Sequence, residues 1–182
     1  MIRRQLEQHE NYLLQGIEVV HSIGGGTGSG MGCLILQELK DMYYGGKFTI
    51  SSFTTFPSVR VSDIVVEPYN AVLALDGMKD SVDQVFVIDN GCLRSHAWRT
   101  SRGLPTYAHL NDIANNAMNG VRRLWNCPQS GWTARAIHSE LSLRSHRCLK
   151  YFAMSQPVPS SLAYSFDWYD LMKADNFLAP LE

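Results

Sequence analysis

Stretches of alternating apolar and polar residues give way to helical spacing and back again along most of this chain. Arg3 to Leu14 is polar with scattered apolar positions and ends near Gly16, as a helix would. Ile17-Glu18-Val19-Val20-His21-Ser22-Ile23 alternates and is β-branched, which predicts a strand. It runs into Gly24-Gly25-Gly26-Thr27-Gly28-Ser29-Gly30, after which Cys33 to Met42 has helical composition and stops at Gly45-Gly46. Phe48 to Phe56 reads as a second strand, Pro57-Ser58 breaks it, and Tyr69 to Met78 reads as a short amphipathic helix. Val82 to Ile88 is a third strand, ending at Asp89-Asn90. From Tyr107 through Leu110, Ile113, Ala114, Ala117, Met118, Val121 and Leu124 to Trp125 the apolar spacing is three and four throughout. That predicts a helix of about five turns, expected to be a buried spine.

Strand alternating with helix is the pattern of an α/β domain with a Rossmann-like parallel sheet and flanking helices, its ligand crevice beyond the carboxyl ends of the strands. Beyond Cys127–Gln129 the pattern changes, and a subdomain boundary is expected there. The last part holds a short helix around Ala134–Leu143, a strand around Leu149–Met154, a turn with Pro157 and Pro159, and the aromatics Tyr164, Phe166, Trp168 and Tyr169.

Composition narrows the class. With 182 residues, 45% hydrophobic and 18% charged, the chain can bury a core and is neither a disordered tail nor a disulfide miniprotein. No apolar run approaches the roughly 20 residues that span a bilayer, and the start turns polar at once, so it reads as intracellular with no membrane partner. Cys33, Cys92, Cys127 and Cys148 include no C-x-x-C pair, so no zinc ribbon or redox motif is expected. The net charge of −1 hides an asymmetry: residues 91–150 carry nine Lys or Arg against two acids, a net +7, and the remainder is −8. Such a stretch fits an acidic protein partner or another copy of the chain; nucleic acid is not expected from charge alone.

The glycine run carries the chemistry. Five of the seven residues from Gly24 to Gly30 are glycine and two carry hydroxyls, between a strand and a helix. Glycines let backbone N–H groups and an anion approach each other, and a helix N-terminus adds partial positive charge. No register gives G-x-G-x-x-G, and the Gly46-Lys47 pair is followed by Phe48, so there is no G-x-x-x-x-G-K-[ST] either. A flexible linker, the plain alternative, is not normally wedged between a β-branched strand and an apolar helix.

His21-Ser22-Ile23-Gly24-Gly25-Gly26-Thr27-Gly28-Ser29-Gly30-Met31-Gly32 resembles the signature loop of the tubulin/FtsZ family. Collinear with it are Gln15-Gly16, Val61 to Ala71 (VSDIVVEPYNA), Ile88-Asp89-Asn90 and Pro105 to Asn111 (PTYAHLN), each similar to that family. The resemblance implies GTP or GDP as ligand, with Mg2+ accompanying GTP in the intact protein, and other tubulin subunits as partners in the cytoplasm and cytoskeleton. It implies phosphate contacts from Ser22, Gly24, Gly25, Gly26, Thr27, Gly28 and Ser29. It also implies ribose contacts from Asp63 and Glu67, sugar and guanine hydrogen bonds from Asn90 and Asn111, and stacking by Tyr107. An amide offers both donor and acceptor to a guanine edge, and an aromatic ring can cover its face. From the residues alone, Asn90 fits a strand-end turn, Asp63 and Glu67 solvated loop acids, and Tyr107 and Asn111 ordinary positions of the long helix.

The pattern also departs from that family. Pro128 to His138 contains no carboxylate where hydrolysis-promoting members carry an acid; Glu140 is the nearest, and His138 reads more readily as a surface or packing residue. Without a positioned acceptor for the attacking water, hydrolysis is expected to be weak or absent, and no catalytic residue is assigned. The resemblance implies that residues 1–127 are the later part of a GTP-binding domain with its core helix, and 128–182 the start of an α+β intermediate domain. The first strands, with their own phosphate, metal and base contacts, are not in this sequence, and no metal ligand is assigned within it. Val65 to Asn70 is nearer the α, β and γ branches, whereas Ser161-Leu162-Ala163-Tyr164-Ser165 is similar to the delta branch of centrioles and basal bodies.

Overall fold

A computed structural model of the chain describes residues 16–42, 49–58, 62, 64–100, 105–125, 133, 136, 138, 139 and 150–154. The helices expected over 3–14 and 134–143, the turn at 157–159 and the aromatics at 164–169 lie wholly or mostly outside these residues.

Among the described residues, four parallel strands form one sheet in the order β1 (Gly16–Ser22), β2 (Thr49–Phe56), β3 (Gln84–Asp89), β4 (Tyr151–Ala153). The register sets Ser22 opposite Thr55 and Thr55 opposite Ile88, so the carboxyl ends of the first three strands form one edge. The strand β4 follows the expected boundary near 127–129, yet it pairs with β3 in this same sheet.

Helices cover both faces. Alternation along each strand sends Ile17 and Val19, Ile50, and Val85 and Val87 to one side, where α1 (Gly32–Met42) packs Cys33, Leu36 and Leu39 and α2 (Glu67–Met78) packs Ala74 and Met78. The opposite side presents Phe53, Phe86 and Ile88 to Leu93 of α3 (Asn90–Thr100) and to Ala114, Met118, Val121 and Trp125 of α4 (Tyr107–Trp125). Phe53 and Phe86 stack at 4.9 Å between ring centroids, with Trp125 tilted against both. At its far end α4 is tied to β1, where Arg122 Nε donates to Glu18 Oε2 at 2.7 Å.

Three expectations change. The stretch after Asp89 is a helix, α3, where the sequence suggested a turn at Asn90; the Asp89 carboxylate accepts from the N–H groups of Gly91 and Cys92, both at 3.1 Å, and so caps its start. The strand β3 begins two residues late because Val82 N–H turns back to the Met78 carbonyl. The long helix has the expected ends but is no buried spine: Ile113 alone is fully buried on it, and its apolar face is half-covered by the sheet.

Phe53 is inaccessible to solvent and central to the aromatic layer. Phe53→Ala is expected to lower unfolding free energy by about 3–5 kcal/mol in urea titration, the usual cost of deleting a buried aromatic ring. A loss below about 1 kcal/mol would contradict this packing.

Candidate functional site

The turn between β1 and α1 starts at Ile23, which is fully buried and whose N–H continues the ladder to the Thr55 carbonyl at 3.2 Å. Gly26 already has helical torsions, and Thr27–Met31 forms one wide π-helical turn in which Gly32 N–H reaches back to the Thr27 carbonyl. Such turns are rare and recur at functional sites. No side chain caps the start of the turn, so its leading N–H groups meet a ligand or water at the positive end of the helix dipole.

The glycines sort into two kinds, and none of the six from Gly24 to Gly32 has a left-handed φ, so space and not torsion explains them. Three are held by packing. A Cβ on Gly28 would stand 2.0 Å from the Ser22 carbonyl oxygen, one on Gly32 2.9 Å from His21 Nδ1, and one on Gly24 3.2 Å from Pro57 Cβ. The other three, Gly25, Gly26 and Gly30, have nothing within 4 Å of a built Cβ. Bare backbone facing open space at a helix start is the arrangement that lets an anion approach N–H groups closely.

Side chains fix the turn from below and beside. His21 Nδ1 donates to the Gly28 carbonyl at 2.8 Å, while its Nε2 lies 3.0 Å from Ser52 Oγ. Asn70 Nδ2, from α2, donates to the Gly24 carbonyl at 2.9 Å. The Ser22 hydroxyl accepts from Gly24 N–H at 3.4 Å, and the buried Ser29 hydroxyl donates to the Gly26 carbonyl at 3.3 Å. His21 and Asn70 are site residues that reading for ligand contacts did not single out. Both stand inside the quoted motifs, and an Asn or His flanking a glycine run was the available signal.

The remaining candidates fall in two places. Glu67 opens α2 with its carboxyl carbon 3.5 Å from the Gly24 Cβ position, beside the turn; Asp63 lies outside the described residues. Asn90 follows β3 at the same sheet edge as Ser22, two strands away, or about 10 Å at ordinary strand spacing. Tyr107 and Asn111 are exposed in the first turns of α4. Because Arg122 anchors the other end of that helix near the start of β1, Tyr107 stands about 22 Å along the axis from it. His138 is half-buried, and Glu140 lies outside the described residues. Under the turn, burial pushes the Cys33 thiol pKa up, and its Sγ lies 3.4 Å from the Ala74 carbonyl; Cys92 is exposed. Among the described residues no group of three or more His, Cys, Asp or Glu is placed to hold a metal, and no helix is long and apolar enough to cross a membrane.

Residues 1–97 match the family model described as Tubulin/FtsZ family, GTPase domain. The chain is 43% identical over 122 residues to the tubulin beta-1 chain of Mus musculus, covering 66% of this chain and 26% of that protein. It is 44% identical over 109 residues to the Homo sapiens tubulin beta-1 chain, covering 59% and 24%, and 38% identical over 122 residues to that of Colletotrichum graminicola, covering 66% and 26%. The chain thus spans about a quarter of the length of these relatives.

The division among the glycines is open to test by thermal melting. Gly28→Ala is expected to destabilise by about 3 kcal/mol or more, because backbone must move to relieve the clash with Ser22, whereas Gly25→Ala should change stability by less than about 1 kcal/mol. Equal losses at both positions would overturn the division.

Proposed function

Because this chain belongs to the tubulin/FtsZ family, we propose that its glycine turn holds the phosphates of GTP or GDP and that the chain is part of a cytoskeletal subunit that assembles with other tubulin subunits. The observation that carries the reading is the open space over Gly25, Gly26 and Gly30 at an uncapped helix start. In it, N–H groups of the turn and the exposed Thr27 hydroxyl hold phosphate, with Ser22 at the strand end. Glu67 and Asp63 serve the ribose, Asn90 and Asn111 the sugar and guanine edge, and Tyr107 covers the base. Mg2+ accompanying GTP would supply charge neutralisation at the phosphates; among the described residues no cluster of His, Cys, Asp or Glu would hold it, so its ligands from this part would be phosphate and water oxygens.

Hydrolysis is weak or absent in this proposal, since 128–138 offers no carboxylate to orient a water. Residues 1–127 belong to the nucleotide domain in this proposal, and because β4 (Tyr151–Ala153) extends the same sheet, the intermediate domain begins after that strand and not at 128. The location proposed is the cytoplasm and cytoskeleton. The delta-like block at 161–165 favours the centrosome or basal body within it, while the beta-chain relatives favour microtubules at large.

Equilibrium titration of the full-length protein that carries this chain with a fluorescent GTP analogue tests the reading. Saturable binding is expected, weakened about tenfold by Thr27→Val and by Asn111→Ala, the loss of about one hydrogen bond to a charged or polar partner. Absence of binding by the folded full-length protein would overturn it. Salt-sensitive binding of acidic tubulin tails in that case would favour a nucleotide-free module that docks partners through the basic 91–150 stretch.

A further inference from the structure

The strand under the turn has an unusual composition. A parallel strand covered on both faces is normally a run of apolar residues, yet β2 reads Thr-Ile-Ser-Ser-Phe-Thr-Thr-Phe. Ser52 and Thr54 are completely buried on the side facing α1, and a buried hydroxyl costs stability unless it is hydrogen-bonded. Their partner is His21, which the register sets directly across from Thr54. Ser52 Oγ lies 2.7 Å from Thr54 Oγ1 and 3.0 Å from His21 Nε2, and Thr54 Oγ1 is 3.4 Å from the same nitrogen.

The other ring nitrogen reaches the glycine turn. Nδ1 is 2.8 Å from the Gly28 carbonyl oxygen, and a carbonyl only accepts, so Nδ1 carries the proton. In the neutral ring Nε2 then accepts from a hydroxyl; hydroxyls suit either tautomer, so the carbonyl sets the proton's place and the strand side holds the ring. The absence of a side chain at Gly32, whose Cβ would stand 2.9 Å from Nδ1, leaves room for the ring in this position. Strand hydroxyls therefore orient the imidazole, and the imidazole holds the turn.

We propose that His21 is a positioning residue of the anion site: its Nδ1–H anchors the Gly28 carbonyl and thereby sets the leading N–H groups of the turn for phosphate. This rests on the nucleotide reading above. His21 itself stays beneath the turn and acts through the backbone it holds.

Side-chain stereochemistry supplies the test. An asparagine amide places Nδ2 where histidine has Nδ1, and a glutamine amide places Nε2 where histidine has Nε2, so the two variants each keep one of the two contacts. In the full-length protein that carries this chain, ¹⁵N NMR of the imidazole is expected to give the Nδ1–H tautomer. Amide exchange across Gly28–Gly32 without nucleotide is expected to be as slow in His21→Asn as in the unaltered chain, and about tenfold faster in His21→Gln and His21→Leu. Affinity for the fluorescent GTP analogue should follow the same order, within about twofold for Asn and about tenfold weaker for Gln and Leu.

Thermal melting identifies any variant that fails to fold, and the unaltered chain's tautomer together with His21→Asn then decides. An Nε2–H tautomer, or an asparagine variant as impaired as leucine in exchange and affinity, overturns the role of His21 even when the unaltered chain binds the analogue. Failure of the unaltered chain to bind, with Nδ1 protonated and the turn protected, overturns the nucleotide reading and the phosphate-positioning role together.

Discussion

The approach of Gly28 to the Ser22 carbonyl is the contact on which the rest of the site is built. A Cβ there would lie 2.0 Å from that oxygen, so the turn can sit on the end of β1 only because residue 28 has none. Seated so low, the turn runs into α1 without a connecting loop, and α1 in turn buries Leu36 and Leu39 against the sheet. The helix start is thereby fixed over the carboxyl edge where Phe56 and Asp89 end their strands. The place where ligands bind in open parallel sheets is set here by one close backbone contact.

That seating has a consequence for β2, the strand beside β1. An all-apolar β2 would offer nothing to a histidine wedged under the turn. Instead the strand divides its labour: Ile50 and Phe53 fill the two cores, and Ser51, Ser52 and Thr54 are paired with Gln84, with each other and with His21. Each buried hydroxyl retains a partner, so the polar strand costs little, and a fully satisfied network specifies one geometry more tightly than apolar packing does. The opposite face shows the contrast. There Phe53, Phe86 and Trp125 pack by area and ring contact, and position matters less than volume.

How much of this was legible in the sequence depended on the kind of signal. Periodicity with glycine or proline punctuation located β1, α1, β2 and α4, the last with its ends at Tyr107 and Trp125 as read. Helix α3 was missed because Asn-Gly-Cys-Leu-Arg-Ser-His-Ala-Trp-Arg-Thr has no clear apolar stripe; what makes it helical is the Asp89 cap, which in the sequence is one more acid at a strand end. The apolar stripe of α4 told which face meets the sheet, but periodicity is silent about whether anything covers the other face. In the glycine run the anion chemistry was readable from composition and context. The sorting of glycines into packed and open ones was not, because it depends on how far Ser22, His21 and Pro57 stand from each, a matter of tertiary distance.

The same distances bear on how a turn whose own residues carry no charge would hold phosphate, as proposed. No Lys or Arg lies between Gly16 and Leu39, and Lys40, the first that follows, is engaged with Asp83 at 2.8 Å near the amino ends of the strands. Among the described residues the charged side chain beside Gly24 is a carboxylate, Glu67, so the turn's own residues 24–30 bring no positive charge to an anion. What remains is the set of backbone N–H groups and the helix dipole, whose effect falls off within a turn. An interaction of so short a range tolerates little displacement of its donors, since a hydrogen bond weakens steeply with angle and distance. A cationic site could bind phosphate through a loosely held loop; one built on backbone N–H groups, as proposed here, has to hold its backbone still. Gly28 on Ser22, Asn70 on Gly24 and His21 on Gly28 are three restraints on seven residues, the density that a site built on backbone N–H groups calls for.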